Sequence, residues 1–367
     1  MLWMIRPVPT IPLYTPNPAS PDASHEVRAP GGYEWWQFEA EDARQDLHIL
    51  GSLQQGCAFH PRYLREFLSY LRAPTRRLPP LPDQFPCVRF AVYRGGKLLY
   101  RFTTCHPPGS LSAETCRPQV AIGASRFTGG DELKVTFVGV PGIQSALRPR
   151  VLTEQRLEGE FSFIPRFSAP PHERIFLSPR LCGGAAHYWV VANPLCSVRG
   201  AIRCNGTTID FNGLGYHDHQ YGTAPIGPGV KRWLRGHVLF EDLVCAFHFV
   251  RAKDRSHPDQ IHLLEAGEDG VHESRADSFS ADWSARSSWM LRYPQRIDFE
   301  DVLRLENPHL IDSTPFLLRL VYHAHHRGRS GTAVCEIVYP QRLRMPVLGR
   351  IIERSIEQRS MRSWPPA

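Results

Sequence analysis

Lysine is scarce in this chain of 367 residues, and the signatures of nucleic-acid-binding proteins are missing. The lysines are Lys97, Lys134, Lys231 and Lys253, so arginine supplies almost all of the positive charge behind the net charge of +7. The arginines are scattered, without a zinc-finger, helix-turn-helix or RNA-binding signature, which argues against a nucleic-acid partner. We interpret them as a basic surface, with attraction to an anionic membrane as the functional alternative.

The sequence also lacks long apolar runs, paired cysteine motifs and nucleotide-binding motifs. Without about 20 consecutive apolar residues, we expect no transmembrane helix. Without G-x-G-x-x-G, a phosphate loop or βαβ alternation, nucleotide chemistry on a doubly wound sheet is unsupported. The G-x-S-x-G elbow of many serine hydrolases is missing too. The nine cysteines include no C-x-x-C pair and prolines interrupt the N-terminus, so we predict a cytoplasmic protein with reduced thiols.

Proline, in contrast, is abundant, with 33 residues. This much proline disfavours long helices and favours short strands joined by turns. Gly95-Gly96 and Asn205-Gly206 lie between strand-like runs and suit two-residue hairpin turns. Apolar spacing indicates short helices over 61–72 and 347–358. Many hairpins in succession favour antiparallel sheets that close into barrels.

We therefore predict an all-β, mainly antiparallel fold of two β-barrels with a few short helices. Residues 1–30 are expected to form a Pro-rich N-terminal arm, extended or flexible. The first barrel is expected over 31–175 and the second over 176–360. This boundary falls in a loop over 165–180 that is rich in proline and arginine.

The residues that most suggest chemistry lie in the block Tyr216-His217-Asp218-His219-Gln220-Tyr221, which glycines flank. Side chains this polar are costly to bury unless they find partners. Alternate residues of a strand share a face. This rule predicts two faces, with Tyr216, Asp218 and Gln220 on one and His217 and His219 on the other. It likewise places His187 and Trp189 on one face of their strand and Tyr188 on the other.

Three segments of the chain, in this order, resemble the carotenoid 1,2-hydratase family, also called hydroxyneurosporene synthases, within a wider lipocalin-like group. They are Tyr33-Glu34-Trp35-Trp36, His187-Tyr188-Trp189 and Gly215-Tyr216-His217-Asp218-His219. The segment Glu336–Leu343 is similar as well, and the resemblance spans roughly residues 30–350. It implies two lipocalin-like β-barrel domains with a lipophilic pocket. It also implies addition of water to the terminal C1–C2 double bond of an acyclic carotenoid, without a cofactor or a metal.

The resemblance places the catalytic positions on His187, Trp189, Tyr216 and Asp218. Hydration of an unactivated alkene proceeds through protonation to a tertiary carbocation, so the acid has to be protonated near neutral pH. Burial raises a carboxyl pKa, which makes Asp218 the expected acid. The rings of Trp189 and Tyr216 would stabilise the cation. His187 would position the water and accept its proton.

We expect the substrate to contact a further set of aromatic and polar residues. They are Tyr33, Trp35, Trp36, His217, His219, Gln220, Tyr221 and Trp233. A long apolar polyene would suit a barrel mouth or a groove between the domains. Together with the positive charge, it also suggests a peripheral contact with the inner face of the membrane.

Other interpretations of these residues remain open. The Tyr-His-Asp-His block could be a structural hydrogen-bond network, an ionised Asp218 could bridge a histidine, and the Trp35-Trp36 pair could be core. His217 and His219 share a face and could bind zinc if a third ligand converged on them. The candidates for that ligand are His187, His237, His248 and Glu241. The pair His323 and His325, next to His326, is interpreted as a solvated strand end.

Two further functions are therefore kept as alternatives. The first is a cyclase or isomerase that folds or protonates a polyene and excludes water. The second is a lipocalin-type carrier that binds a lipophilic ligand without catalysis.

Overall fold

Turn residues and alternating apolar residues divide most of the chain into antiparallel strands. The computed structural model describes residues 14–141, 156–167, 171–177, 185–227, 229–254, 257–274, 279–299 and 302–360. The predicted all-β, lipocalin-like class is confirmed, because the described strands form two large curled antiparallel sheets and two α-helices accompany them.

The first sheet runs in the order β4-β3-β2-β1-β12-β11-β9-β8-β7-β6-β5, and β10 also pairs with β11. Its strands are β1 (Tyr33–Asp42), β2 (Leu47–Gln55), β3 (Cys87–Arg94), β4 (Lys97–Cys105), β5 (Leu111–Ala113), β6 (Gln119–Ile122), β7 (Ser125–Thr128), β8 (Leu133–Gly139), β9 (Leu157–Pro165), β10 (His172–Leu177), β11 (His187–Cys204) and β12 (Thr207–Gly222).

The second sheet runs in the order β16-β15-β14-β13-β23-β22-β21-β20-β17, and β18 pairs with β19 separately. These strands are β13 (Val230–Leu239), β14 (Leu243–Ala252), β15 (Gln260–Gly267), β16 (Gly270–Ser274), β17 (Phe279–Ala281), β18 (Ala285–Arg286), β19 (Arg292–Tyr293), β20 (Arg296–Phe299), β21 (Leu303–Ser313), β22 (Leu317–His326) and β23 (Arg329–Val338).

Each sheet curls around its own apolar core, and a third apolar cluster lies between the sheets. In the first core, Gly51 of β2 faces Phe137 of β8, and a Cβ atom at Gly51 would lie 2.1 Å from that ring. Because glycine has no side chain, β2 and the ring of Phe137 on β8 can approach each other closely across the interior. The cluster between the sheets contains Trp35 and Trp189 of the first sheet and Trp233 of the second.

The helices pack against each other at one end of the molecule. They are α1 (Pro61–Arg72), which has the predicted bounds, and α2 (Pro346–Ser360), which follows a 3-10 turn over Pro340–Arg344. His60 caps α1 by accepting a hydrogen bond from the backbone N–H of Arg62, and Pro61 occupies its first turn. Neither helix combines the length and the apolar composition that a membrane crossing requires.

The boundary between the sheets differs from the predicted domain boundary near residue 175. β11 and β12 belong to the first sheet, so that sheet extends to Gly222 and carries the Tyr-His-Asp-His block that we predicted for the second barrel. β11 continues past Pro194, because the ladder register shifts around Asn193 and the resulting bulge tolerates the proline.

The N-terminal arm is packed against the first sheet in the part that the structure describes. Ala23, His25 and Val27 are fully buried, and the indole N–H of Trp36 donates to the backbone carbonyl of Asp22. The prediction of a flexible tail is therefore wrong for these residues, because apolar and ion-pairing side chains among the prolines hold them in place. Residues 1–13 lie outside the described part.

Candidate active site

The two faces of β12 separate the predicted site residues as strand alternation requires. Tyr216, Asp218 and Gln220 face the second sheet, whereas His217 and His219 face the interior of the first sheet. His187 and Trp189 of β11 lie on the same side as Asp218. The catalytic candidates therefore lie between the two sheets rather than inside either core.

Asp218 is the buried acid at the centre of this interface, with 2% of its surface exposed. Its Oδ2 accepts hydrogen bonds from the indole N–H of Trp189 (3.2 Å) and the hydroxyl of Tyr216 (3.1 Å). The amide of Gln220 lies 3.4 Å from both carboxyl oxygens. These donors fix the carboxyl group in one orientation.

Charged residues of the second sheet complete the surroundings of Asp218. The guanidinium of Arg235 on β13 lies 3.7 Å from Asp218 Oδ2, 3.3 Å from Glu39 Oε1 and 2.8 Å from Glu336 Oε2. Arg319 on β22 is ion-paired with the other oxygen of Glu336. Glu336 therefore engages both arginines, which weakens the attraction that Arg235 exerts on Asp218.

Burial and these charges set the protonation states in the interface. Burial raises the pKa of Asp218, and the nearby Glu39 raises it further, while Arg235 opposes them. Burial raises the pKa of Glu39 as well. Burial opposes ionisation of Glu336, but its two arginine partners, Arg319 and Arg235, hold its pKa below the usual range. The interface thus favours an ionised Glu336 and shifts Asp218 toward its protonated form.

An aromatic wall extends from Asp218 toward the end of β11. The ring of Tyr33 stacks on Trp35 at 4.6 Å, and its hydroxyl lies 2.9 Å from His187 Nδ1. Trp189 packs on His248 at 4.1 Å, and the indole N–H of Trp233 donates to His248 Nδ1. Burial lowers the pKa of His187 to about 3 and that of His248 well below its usual value, so both imidazoles are neutral.

Two small cavities lie between the sheets near Glu39, each of about 10 Å³, and one of them borders this wall at His248. One is bordered by Tyr216, Asp218, Arg235 and His248, and both are bordered by Glu39 and His237. A volume of this order is about what one water molecule needs, and the polar lining offers it hydrogen bonds. The site can therefore hold water next to the carboxyl group of Asp218.

His237 is a site residue that the sequence analysis considered only as a zinc ligand. Its ring stacks on Tyr216 at 4.8 Å, and burial lowers its pKa to about 3. Within the described part of the chain, no hydrogen bond engages its ring nitrogens. A neutral imidazole in this position is able to accept a proton.

Four residues predicted to contact the substrate lie on the opposite face of the first sheet: Trp36, His217, His219 and Tyr221. Strand alternation turns them toward the N-terminal arm, away from Asp218. His217 donates from Nε2 to Asp22 (3.1 Å), and His219 Nε2 lies 3.1 Å from Glu34 Oε1. The other predicted contacts, Tyr33, Trp35, Gln220 and Trp233, do border the interface.

The roles of Glu39, Arg235, Arg319 and Glu336 were not predicted from the sequence. One signal was available for three of them, because Glu39, Arg319 and Glu336 each stand between two apolar residues of their strand. A charge buried in this way needs a partner. The sequence did not reveal that Arg235 pairs with Glu39 and Asp218 of the other sheet.

The described residues contain three groups whose side chains could hold a metal ion. They are His25, Glu34 and His219; Cys245, Glu265 and His326; and Glu306, His323 and His325. The predicted pair of His217 and His219 is split, because His217 is bound to Asp22 and only His219 joins a group. None of the proposed third ligands, His187, His237, His248 and Glu241, belongs to these groups.

The fold is similar to solved structures of very different sequence. An AttH protein of Nitrosomonas europaea superposes with a TM-score of 0.59 at 14% identity, over 90% of this chain and 98% of that one. Kievitone hydratase from Nectria haematococca superposes with a TM-score of 0.51 at 9% identity, over 84% and 89% of the two chains. At these identities the likeness concerns the fold alone.

Sequence comparison gives the family. A hydroxyneurosporene dehydrogenase of Chlorobaculum tepidum is 28% identical over 263 residues, which make up 66% of this chain but only 63% of that protein. A model of the family described as "Carotenoid hydratase CrtC" matches residues 66–365, well over half of the chain. The chain therefore belongs to the carotenoid hydratase CrtC family.

Proposed function

We propose that this protein is a hydro-lyase that adds water to the terminal C1–C2 double bond of an acyclic carotenoid or related terpenoid, with Asp218 as the acid and no cofactor. The family supports the substrate class. The observation that carries the proposal is the buried Asp218, which has a raised pKa and lies between an aromatic wall and a cavity of the size of one water molecule.

We assign the acidic proton to Oδ1 of Asp218. Oδ2 accepts hydrogen bonds from Trp189 and Tyr216, whereas Oδ1 faces, among the described residues, only the more distant amide of Gln220. Transfer of this proton to C2 leaves a tertiary cation at C1 and a carboxylate at Asp218. The same two donors, together with Arg235, stabilise the new carboxylate.

The cation then reacts with water. The faces of Trp189 and Tyr216 border the site, and an aromatic face stabilises a desolvated cation by about 2 kcal/mol or more. Water in the cavity beside Asp218 forms the C1–O bond and gives up one proton. We assign the acceptor role to His237, which borders this cavity as a neutral imidazole. The proton then returns to Asp218, which restores the acid.

This assignment changes the role of His187. In the ladder His187 lies opposite Gly222, four residues along β12 from Asp218, which corresponds to roughly 13 Å of strand. Its Nδ1 is bound to the hydroxyl of Tyr33. We therefore assign to His187 the positioning of Tyr33 in the aromatic wall. The cavities are of the size of one water molecule and too small for a polyene, so substrate entry has to open the interface along this wall.

A surface near the helices supports peripheral membrane contact as part of the proposal. Five large apolar side chains are exposed there: Leu71, Leu78, Met345, Val347 and Ile351. Leu78 is 90% exposed and Val347 is 70% exposed. Arginines occur in the same segments, namely Arg72, Arg76, Arg77, Arg344 and Arg350. Apolar side chains among arginines suit an anionic lipid surface.

Flotation with anionic liposomes at low salt tests the membrane contact. We expect the protein to float with the vesicles and Val347→Asp to reduce the bound fraction, because the substitution places a negative charge against anionic lipid. Ile164→Asp is the control, since Ile164 is also exposed but lies on β9. A protein that stays entirely in the soluble fraction would contradict the contact.

The hydratase itself is tested in cells that accumulate lycopene or neurosporene. We expect the extracted pigment to gain the mass of one or two water molecules, and Asp218→Asn to abolish the gain. Asp46→Asn is the control, because Asp46 is a largely exposed carboxylate. Unchanged pigment mass from folded protein would reject the hydration of these polyenes. A rearranged pigment of equal mass would indicate a cyclase or isomerase, and a loss of hydrogen would indicate a dehydrogenase.

A further inference from the structure

The second sheet carries a compact group of histidines and a carboxylate far from the reaction chemistry described above. Glu306 of β21 lies opposite His323 of β22 in the ladder, and His325 follows two residues later. Strand alternation therefore gives all three side chains the same face of the sheet. His325 and Glu306 keep 39% and 34% of their side-chain surface exposed, and His323 is exposed as well.

The ligand atoms of this group have nearly the spacing of ligands around one metal ion. His323 Nδ1 lies 3.0 Å from His325 Nε2, which lies 3.1 Å from Glu306 Oε1. All three atoms are within 4.8 Å of one another. Around a tetrahedral zinc ion with bonds of about 2.0–2.1 Å, neighbouring ligand atoms are about 3.3 Å apart. The two measured separations are thus within a few tenths of an ångström of this value, and the third, which is at most 4.8 Å, would close further on binding.

The hydrogen bonds among Glu306, His323 and His325 cannot use all of their facing nitrogen and oxygen atoms, whereas a bound cation could. His325 Nε2 lies within hydrogen-bond distance of His323 Nδ1 and of Glu306 Oε1. It either carries one proton or offers one lone pair, so it cannot form a full hydrogen bond with both. A divalent ion would engage both ring lone pairs and the carboxylate together. The hydroxyl of Ser330 lies 3.4 Å from His325 Nδ1, in the position of the outer partner that usually orients a metal-bound histidine.

The nearby positive charges are already engaged. Arg304 lies opposite His325 in the ladder, and its guanidinium is 2.9 Å from Asp298. Arg296, opposite Glu306 on β20, is paired with the same carboxylate at 2.7 Å. Repulsion of a cation at the histidines is therefore reduced.

We propose that Glu306, His323 and His325 form a surface site for a divalent transition-metal ion of the zinc type, with water in the remaining coordination positions. Imidazole nitrogen and carboxylate oxygen are common zinc ligands. The other candidate groups differ in accessibility, since His25, Glu34 and His219 are fully buried. This proposal does not depend on the hydratase activity.

Titration of the full, untagged chain with Zn²⁺ alone in a calorimeter tests the site. We expect a binding event that His323→Ala and Glu306→Gln each weaken at least about tenfold, with a smaller effect of Ser330→Ala. His272→Ala is the matched control, because His272 is an exposed histidine on another strand of the same sheet.

Zinc bound at the other candidate groups does not affect the test, because each variant changes only this site and is compared with the wild-type titration. The proposal is overturned if the wild-type protein takes up no Zn²⁺, or if the titrations of His323→Ala and Glu306→Gln coincide with that of the wild type. Pigment hydration measured in the same variants should be unchanged, which separates a failure of this site from a failure of the hydratase proposal.

Discussion

At Asp218, opposing influences act on one carboxyl group, and their balance determines the chemistry. Burial and Glu39 raise its pKa, whereas Arg235 and the hydroxyl of Tyr216 lower it. Arg235 is also paired with Glu336, so it favours the ionisation of Asp218 less than an unpaired arginine would. The proposed acid therefore depends on residues that do not touch it.

The assignment of His237 as the proton acceptor gives the first prediction. We expect His237→Phe to lower kcat by about 100-fold with little change in KM, because the ring shape is kept and the base is lost. His187→Phe should mainly raise KM, since it disturbs Tyr33 in the aromatic wall. Steady-state kinetics on both variants tests the assignment, and His272→Phe is the surface control. If His237→Phe keeps the wild-type kcat and His187→Phe loses it, the proton acceptor is His187 and not His237.

Local sequence rules predicted one part of the site and not the other. Alternation along a strand separates Asp218 from His217 correctly, because it depends only on backbone geometry. The same rule does not show which face of β12 meets the second sheet. The prediction that His217 and His219 contact the substrate therefore had no support from strand geometry. Arg235 reaches Asp218 through packing between sheets, which no local pattern encodes.

At the scale of elements, the N-terminal arm is fastened to the first sheet by buried ion pairs. His217 Nδ1 lies 2.8 Å from the carbonyl of Gln37 and its Nε2 lies 3.1 Å from Asp22. Both ring nitrogens face acceptors, so the ring is protonated and positively charged. Burial opposes this charge, but Asp22 raises the pKa of His217 above its usual value.

Removal of the Asp22 charge should therefore destabilise the fold. We expect Asp22→Asn to lower the free energy of unfolding by about 3–5 kcal/mol, because it leaves the buried charge of His217 uncompensated. Urea denaturation measures the change. Asp46→Asn, at an exposed carboxylate, should stay within about 0.5 kcal/mol of the wild type. If both variants unfold alike, the arm is not held by this pair.

At the scale of the whole molecule, the interface joins the two sheets through charges as well as apolar contacts. Arg235 bridges to Glu39 across the interface, and Arg101 of β4 pairs with Asp312 of β21 at 2.6 Å. The sequence indicated two sheets because hairpin turns are local. It misplaced their boundary because β12 pairs with β1, which is distant in the chain, and so joins β11 and β12 to the first sheet.

The buried neutral histidines should make the fold less stable as the solution becomes acidic, whereas the buried carboxyl groups with raised pKa values act in the opposite direction. His187 and His237 have pKa values lowered from 6.5 to about 3, so below pH 6.5 the unfolded chain binds protons that the folded chain does not. Glu34 adds to this loss below pH 4.5: burial opposes its ionisation, but hydrogen bonds from His219 and His25 bring its pKa to about 2. His217 acts oppositely, since its stabilising effect is complete below pH 6.5 and is lost as the pH rises through its raised pKa.

Urea midpoints between pH 7.5 and pH 4.5 measure this dependence. We expect the midpoint of His187→Gln to decrease less toward acid, or to rise more, than that of the wild type, because the substitution removes one of the buried neutral imidazoles. An equal pH dependence of the two proteins would show that His187 does not remain neutral in the folded protein.

Isotope labelling tests acid-catalysed hydration by Asp218 most directly, because it shows which atoms of the product come from water. Purified protein and an acyclic carotenoid are incubated in water labelled with both deuterium and heavy oxygen, and the product is analysed by mass spectrometry. We expect one labelled oxygen at C1 and one deuterium at C2 for each double bond hydrated, and no product from Asp218→Asn. A product that lacks the labelled oxygen, or full turnover by Asp218→Asn, would contradict acid-catalysed hydration by this site.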